Sequence, residues 1–160
     1  QKAYSQPIRF KTSSVSFTDK DEKGSWNEWS DFVKTNVLIT VDAKKNLIVV
    51  NSAEVQSFKI KSYGEIQDND EVNIVPFECV DNKFSKCTIF IITKKKENNR
   101  MQFYINYNEV KFVYNIYNNN AQHFPKTSIS NKFVKVIILL FRNVLVMDAG
   151  PMDILNYDFP

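Results

Sequence analysis

Short segments in which apolar and polar residues alternate follow one another from residue 35 to residue 117, separated by turn-forming residues. In one of them Phe103, Ile105 and Tyr107 are spaced two residues apart. Because side chains of a β-strand point alternately to opposite faces, this spacing predicts strands with one buried face. Short connections favour antiparallel neighbours. The sequence therefore predicts an all-β fold, an antiparallel meander of eight or nine strands curled into a barrel or a tight sandwich.

The alternating pattern stops near residue 117 and divides the chain into three parts. We expect residues 1–117 to form the meander domain and residues 118–131 to form a polar linker. Residues 132–160 hold an apolar, strand-like segment and a tail, which we expect to pack on the same domain. Within them, 132–148 is predicted either to close the sheet or to contact a partner chain, which could be a second copy of this protein. The reason is that an apolar run of this length aggregates when it is exposed.

The charge of the chain argues against a nucleic-acid partner. The net charge is +3, from 21 basic and 18 acidic side chains, without the basic stripe that phosphate binding requires. The longest apolar stretch, Val136–Phe141, is far shorter than the about 20 residues of a membrane-spanning helix. We therefore expect a protein that binds no nucleic acid and does not span a membrane.

The first residues suggest where the protein acts. The chain starts at Gln1, and residues 2–6 resemble a short polar tether after a removed leader. We therefore expect an exported protein, periplasmic or on the cell surface.

Two cysteines, Cys79 and Cys87, lie in successive predicted strands. A hairpin centred on Lys83 places them directly opposite each other, near the distance that a disulfide needs. A structural disulfide, worth about 2.6 kcal/mol in the chain-entropy estimate, is the favoured interpretation. The alternatives are two reduced, buried thiols or a redox-active pair.

Aromatic residues supply the candidate ligand-binding positions. The two tryptophans, Trp26 and Trp29, are close in sequence, and Tyr104 and Tyr114 belong to an aromatic-rich hairpin. Such rings stack on flat ligands, on sugars or on single-stranded nucleic acid, plug the end of a barrel, or pack in a core. Most aromatic residues of the hairpin fall on one alternating face, which favours core packing.

The tripeptide Gly24-Ser25-Trp26 resembles the G-x-W signature near the first strand of lipocalins, and the meander that follows is similar in outline. That family also carries an arginine near its last strand that packs over the tryptophan, and Arg142 is the residue that matches. The resemblance implies an up-and-down barrel that holds a small apolar ligand. The sequence departs from the family in the strand predicted over 8–17, which precedes the motif.

A second resemblance covers residues 15–117. The run from Trp29-Ser30-Asp31 to Tyr114-Asn115-Ile116 is similar in texture to small exported all-β proteins of gut Bacteroidetes that have no assigned activity. This resemblance implies a fold class and an exported protein, without a function.

Residues for catalysis or metal binding do not cluster in the sequence. His123 is the only histidine and lies in the polar linker. The acidic groups at 19–22 and 68–71 lack the glycine and the distal glutamate of a calcium loop. One histidine and two cysteines are too few for a zinc site. We expect no catalytic residues, no metal and no cofactor.

Two hypotheses for function follow. The first is a non-catalytic, exported binding or interaction module with an unknown protein partner. The alternative is a lipocalin-like carrier of a small apolar ligand. An interior cavity above about 300 Å³ lined by aromatic residues would favour the carrier, and an interior filled by side chains would favour the module.

Overall fold

The computed structural model describes residues 6–118, which form an all-β domain. The linker and the segment predicted over 119–160 lie outside the described residues. A single-turn 3-10 helix, Lys95–Glu97, follows the eighth strand. The strands are β1 (Ile8–Asp19), β2 (Val33–Lys34), β3 (Leu38–Asp42), β4 (Leu47–Asn51), β5 (Val55–Tyr63), β6 (Gln67–Asp68), β7 (Val72–Asp81), β8 (Lys86–Lys94), β9 (Arg100–Asn106) and β10 (Val110–Asn118).

Eight of these strands form a closed antiparallel barrel in the order β1, β3, β4, β5, β7, β8, β9, β10. The ring closes because β10 pairs with β1, from Phe10 opposite Asn118 to Asp19 opposite Val110. The short strands β2 and β6 add to β1 and β7. The all-β meander is thus confirmed, as a barrel. Closure is made by β10 and β1, and residues 132–148, which were expected to close the sheet or to contact a partner chain, lie outside the described residues.

The barrel interior is filled by the inward positions of the alternating strands. Phe10, Phe58, Phe77 and Phe103 are fully buried there, with aliphatic side chains of every barrel strand around them. The alternation read from the sequence places these residues correctly, because side-chain direction follows from the pleat of the strand itself. Burial of these rings supplies much of the hydrophobic stabilisation.

A second apolar cluster lies on the outside of the barrel, on β7 to β10. Residues 20–32, which we call the strap, run back along the outer face of β1 and cover part of this cluster. The strap is tied down by hydrogen bonds to β1: the Ser16 hydroxyl donates to the Ser30 carbonyl (2.6 Å), and the Thr18 hydroxyl donates to the Asn27 carbonyl (2.6 Å). The cluster consists of Ile74, Phe90, Ile92, Tyr104 and Val113, with Trp29 packed against it.

Two turns of this chain have the same hydrogen bonds. In residues 21–25 and in residues 81–85, the first aspartate accepts from the backbone N–H groups two and four residues later, at 2.8–2.9 Å. The fourth position is left-handed in both, with Gly24 at φ 82° and Phe84 at φ 65°. Glycine adopts this conformation without strain, whereas Phe84 does so while 89% exposed. Phe84 therefore strains its turn without contributing to the core.

Exchanging the residues at these two positions tests that comparison. Phe84→Gly should raise the free energy of unfolding by about 0.5–1 kcal/mol, because relief of the left-handed strain exceeds the added entropy of the unfolded chain. Gly24→Phe should lower it by a similar amount, although there is open space at this Cα. Urea unfolding followed by circular dichroism measures both. A loss of stability in Phe84→Gly would show that the ring packs against the protein.

The hairpin formed by β7 and β8 has the register expected from the sequence, and Cys79 lies directly opposite Cys87. Both cysteines are buried and free, so the disulfide predicted between them is not formed. The hydrogen-bonding pattern gives the reason. Asp81 N–H donates to the Ser85 carbonyl, which makes every second pair of this ladder, Cys79 and Cys87 included, a hydrogen-bonded pair. Cβ atoms are farther apart in such pairs than a disulfide requires.

No helix among residues 6–118 has the length and apolar character needed to cross a lipid bilayer.

Candidate functional site

A groove of about 410 Å³ opens on the outside of the barrel, where the strap crosses the ends of β8, β9 and β10. Outward-facing side chains of the strands form its floor, and the strap and the β9–β10 turn form its walls. Its polar lining contrasts with the apolar barrel interior. The floor includes Glu78, Lys86, Thr88, Asn106 and Lys111, and the walls include Lys20, Trp26, Tyr107 and Asn108.

Trp26 places two lysine ammonium groups at this groove. The Nζ atom of Lys111 lies 4.1 Å from the centre of the indole ring, and that of Lys20 lies 5.2 Å from it. An ammonium group within about 6 Å of an aromatic ring is attracted by the negative face of the ring. Trp26 therefore holds two positive charges close together, although like charges repel each other.

The position of Trp26 is set by the strap. The turn at residues 21–25 reverses the chain, and an isolated β-bridge then pairs Trp26 with Lys20. Trp26 is 37% exposed and lies outside the barrel, so it is not part of the core. Lys111, which is only 8% exposed, is covered where its stem runs below the strap.

Asn106 lies in the floor of the groove. It is 8% exposed, faces Lys111 across the β9–β10 ladder, and its Oδ1 atom has no hydrogen-bond partner among the described residues. A buried acceptor without a donor costs free energy, since it has lost its hydrogen bonds to water. A hydrogen-bond donor placed beside this oxygen in the groove would satisfy it.

The remaining charges make the groove predominantly positive. Lys86 adds a third ammonium group, against the single carboxylate of Glu78 in the lining. The Thr88 hydroxyl donates to Glu78 Oε1 at 3.2 Å, which fixes that carboxylate on the floor. Lys20 also forms a long ion pair with Glu109, at 3.8 Å. Such an exposed pair contributes little and does not cancel the charge of the groove.

The rim of the barrel next to the groove is held by one hydrogen bond. The Tyr107 hydroxyl donates to Asp81 Oδ2 at 2.8 Å. Burial and this bond to a carboxylate raise the pKa of Tyr107 well above its usual value. Although desolvation acts to raise the pKa of Asp81, the bonds from the Ser85 N–H, Tyr107 and the Lys83 N–H lower it on balance. Both groups are therefore fixed, in their ordinary charge states, at neutral pH.

The four aromatic residues proposed from the sequence as ligand-binding positions lie in three places. Trp26 lies in the groove. Trp29 and Tyr104 pack edge to face in the outer cluster, with ring centres 6.2 Å apart, and the Tyr104 hydroxyl donates to Gln102 Oε1 at 3.0 Å. Tyr114 packs against the barrel core. The structure therefore brings only Trp26 to the groove.

Sequence reasoning missed the lysines and Asn106. Three of them, Lys86, Asn106 and Lys111, lie at polar, outward positions of strands, where a charged residue is usually a solvated one. Lys20 lies in the strap. The pairing of Asn106 with Lys111 could have been predicted from the sequence, because the turn at Asn108-Glu109 between β9 and β10 places these two residues opposite each other. What the sequence does not show is that the strap covers this pair.

Metal-ligating side chains form no cluster in the described part of the chain. Among residues 6–118, no three histidine, cysteine, aspartate or glutamate side chains lie close enough together to hold a metal ion. His123 lies outside the described residues.

The chain matches no protein-family model, no curated protein and no solved structure.

Proposed function

We propose that the protein is a non-catalytic binding module and that the groove beside Trp26 holds a small anionic ligand. The observation that supports this most strongly is the pair of ammonium groups of Lys20 and Lys111 on one indole ring. Their nitrogen atoms are at most about 9 Å apart, the sum of the two distances, which is close to the Debye length at physiological ionic strength. An anion placed between them interacts with both and removes their mutual repulsion.

The filled barrel interior favours this module over a lipocalin-like carrier. A carrier needs an interior space for its apolar ligand, whereas Phe10, Phe58, Phe77 and Phe103 fill the centre of this barrel. The groove lies outside the barrel and is lined by lysine, asparagine and glutamate. An apolar ligand would leave these polar groups desolvated without partners.

The size of the groove is in the range of a small-molecule site, and its openness to solvent limits the affinity. Exposed charge pairs contribute up to about 1 kcal/mol each, and the partly covered Lys111 contributes more. Together these contacts correspond to a dissociation constant of about 1 mM for a simple dianion.

Sulfate is the first probe, because it carries charge without hydrogen-bond donors. Trp29→Phe leaves Trp26 as the only tryptophan, so its fluorescence reports on the groove. At pH 7 and constant ionic strength, sulfate should change this fluorescence in a saturable way, with half-saturation at about 1 mM, because the anion draws the ammonium groups away from the indole.

Two lysine variants in the Trp29→Phe background distinguish sulfate binding in the groove from general screening of charges by salt. Lys111→Met keeps the stem of the side chain, removes the charge, and should weaken sulfate binding at least fivefold. Lys45→Met makes the same change in the exposed β3–β4 turn and should leave binding unchanged. An equal response to chloride, or unaltered sulfate binding by Lys111→Met, would refute an anion site in the groove.

A further inference from the structure

We infer that the natural ligand carries hydroxyl groups beside its negative charge, the chemistry of a sugar acid. The inference rests on the proposed function and names the chemical class of ligand for the same groove. It comes from the acceptor groups of the floor, Asn106 and Glu78, which a simple anion leaves unused or repels.

Asn106 supplies the first part of the argument. It is more than nine-tenths buried, it lines the groove, and its Oδ1 atom has no hydrogen-bond partner in the described part of the chain. An acceptor is satisfied only by a donor, and neither sulfate nor a bare carboxylate has one at neutral pH. A ligand hydroxyl donates one hydrogen bond and so completes the hydrogen bonding of this oxygen.

Access to this oxygen depends on Lys111, the residue directly opposite Asn106. Its ammonium group lies over Trp26, at the end of a long and flexible stem. When an anionic group draws that ammonium away from the indole ring, the stem moves from the floor of the groove. Binding of the charge and exposure of the acceptor are therefore coupled in one side chain.

Glu78 supplies the second part. Its carboxylate lies on the same floor and would repel a ligand that offered only negative charge. Its Oε1 atom accepts one hydrogen bond from Thr88, and a carboxylate has capacity for more. Hydroxyl groups at the end of the ligand away from its charge would donate to it. The floor thus presents the acceptors Glu78 and Asn106 beside ammonium groups, which matches a polyhydroxylated anion.

Isothermal titration calorimetry with a matched pair of carboxylates tests the inference on the unmodified full chain. Glucuronate and cyclohexanecarboxylate have the same charge and a six-membered ring, and only the first has hydroxyl groups. Glucuronate should bind at least tenfold tighter. Gluconate, an open-chain sugar acid, distinguishes cyclic from open-chain ligands. Weaker binding than glucuronate indicates that the ligand is a cyclic sugar acid, and tighter binding indicates that it is an open-chain one.

Asn106→Leu removes the acceptor while it preserves the size of the side chain. The preference for glucuronate over cyclohexanecarboxylate should fall to less than threefold, because the oxygen that accepts a hydrogen bond from the ligand hydroxyl is gone. The melting temperature should not fall, because the variant loses an unsatisfied buried group. Asn73→Leu is the matched control, since Asn73 also has an unpartnered buried side-chain atom but lies away from the groove, and it should keep the full preference.

The outcomes distinguish the two proposals. If sulfate binds in the groove but both six-membered carboxylates bind equally, the inference is wrong and the anion-binding function stands. If the preference survives in Asn106→Leu, another group recognises the hydroxyls and the role given to Asn106 is wrong. If none of the anions binds, both proposals fail.

Discussion

Phe103→Ala is expected to lower the free energy of unfolding by about 3–5 kcal/mol, the range for loss of a buried aromatic ring. Phe103 is fully buried in the barrel, between Ile91 on β8 and Tyr114 on β10. The neighbouring strands are held by hydrogen bonds on both sides of β9, so the barrel cannot contract to fill the cavity. Chemical unfolding in urea measures the change, which is a large part of the stability of a domain of this size.

The same substitution at an exposed ring is the control. Phe84→Ala removes a side chain that is 89% exposed and keeps a residue other than glycine at the left-handed position. Its stability should stay within about 0.5 kcal/mol of the original. Equal losses in the two variants would contradict the assignment of Phe103 to the core and of Phe84 to the surface.

The two cysteines should be almost unreactive while the protein is folded. Burial first, and then the negative charges of Asp81 and Glu78, raise the pKa of Cys87 to about 12 from its ordinary 9.0. Burial, with the neighbouring Cys87 and Glu78, raises the pKa of Cys79 as well. Because the thiolate is the reacting form, its population at pH 8 falls about 1000-fold. Dithiobis(nitrobenzoate) should therefore modify the folded protein at least about 1000-fold more slowly than the unfolded one.

Unfolding without reductant completes this test. Two thiols should titrate in the denatured, unreduced protein, as expected for the free Cys79 and Cys87. A count of zero would show a disulfide, and rapid modification of the folded protein would show that the strands open at the barrel rim.

The raised thiol pKa values also set a direction for stability against pH. Each cysteine is neutral in the folded state over a wider range than in the unfolded state, where its pKa is near the ordinary 9.0. The stability they contribute is complete below that value and is lost as the pH rises above it, because the unfolded chain then releases protons that the folded chain retains. Cys79→Ala/Cys87→Ala should reduce the loss of stability between pH 9 and pH 11.

Local features of the fold were read correctly from the sequence. The alternation in residues 101–107 placed Phe103 and Ile105 on the buried face, and the turn centred on Lys83 gave the register that sets Cys79 opposite Cys87. Both follow from the geometry of a strand and of a short turn, which involve only residues near in sequence. Whether Cys79 and Cys87 form a hydrogen-bonded pair depends on the details of the turn, and the spacing of the cysteines does not contain that information.

The groove and the closure depended on contacts between distant parts of the chain. The barrel closes because β1 meets β10, about one hundred residues later, and the alternation of either strand is the same whether its edge is free or paired. Trp26 reaches Lys111 only because the strap bonds to the outer face of β1. The two-residue spacing of apolar side chains and the turn residues therefore determined that this chain forms antiparallel strands, and they determined which face of each strand is apolar. Tertiary structure alone decided which edges join and which polar side chains meet under the strap, because those pairings are selected by packing between segments that no local pattern connects.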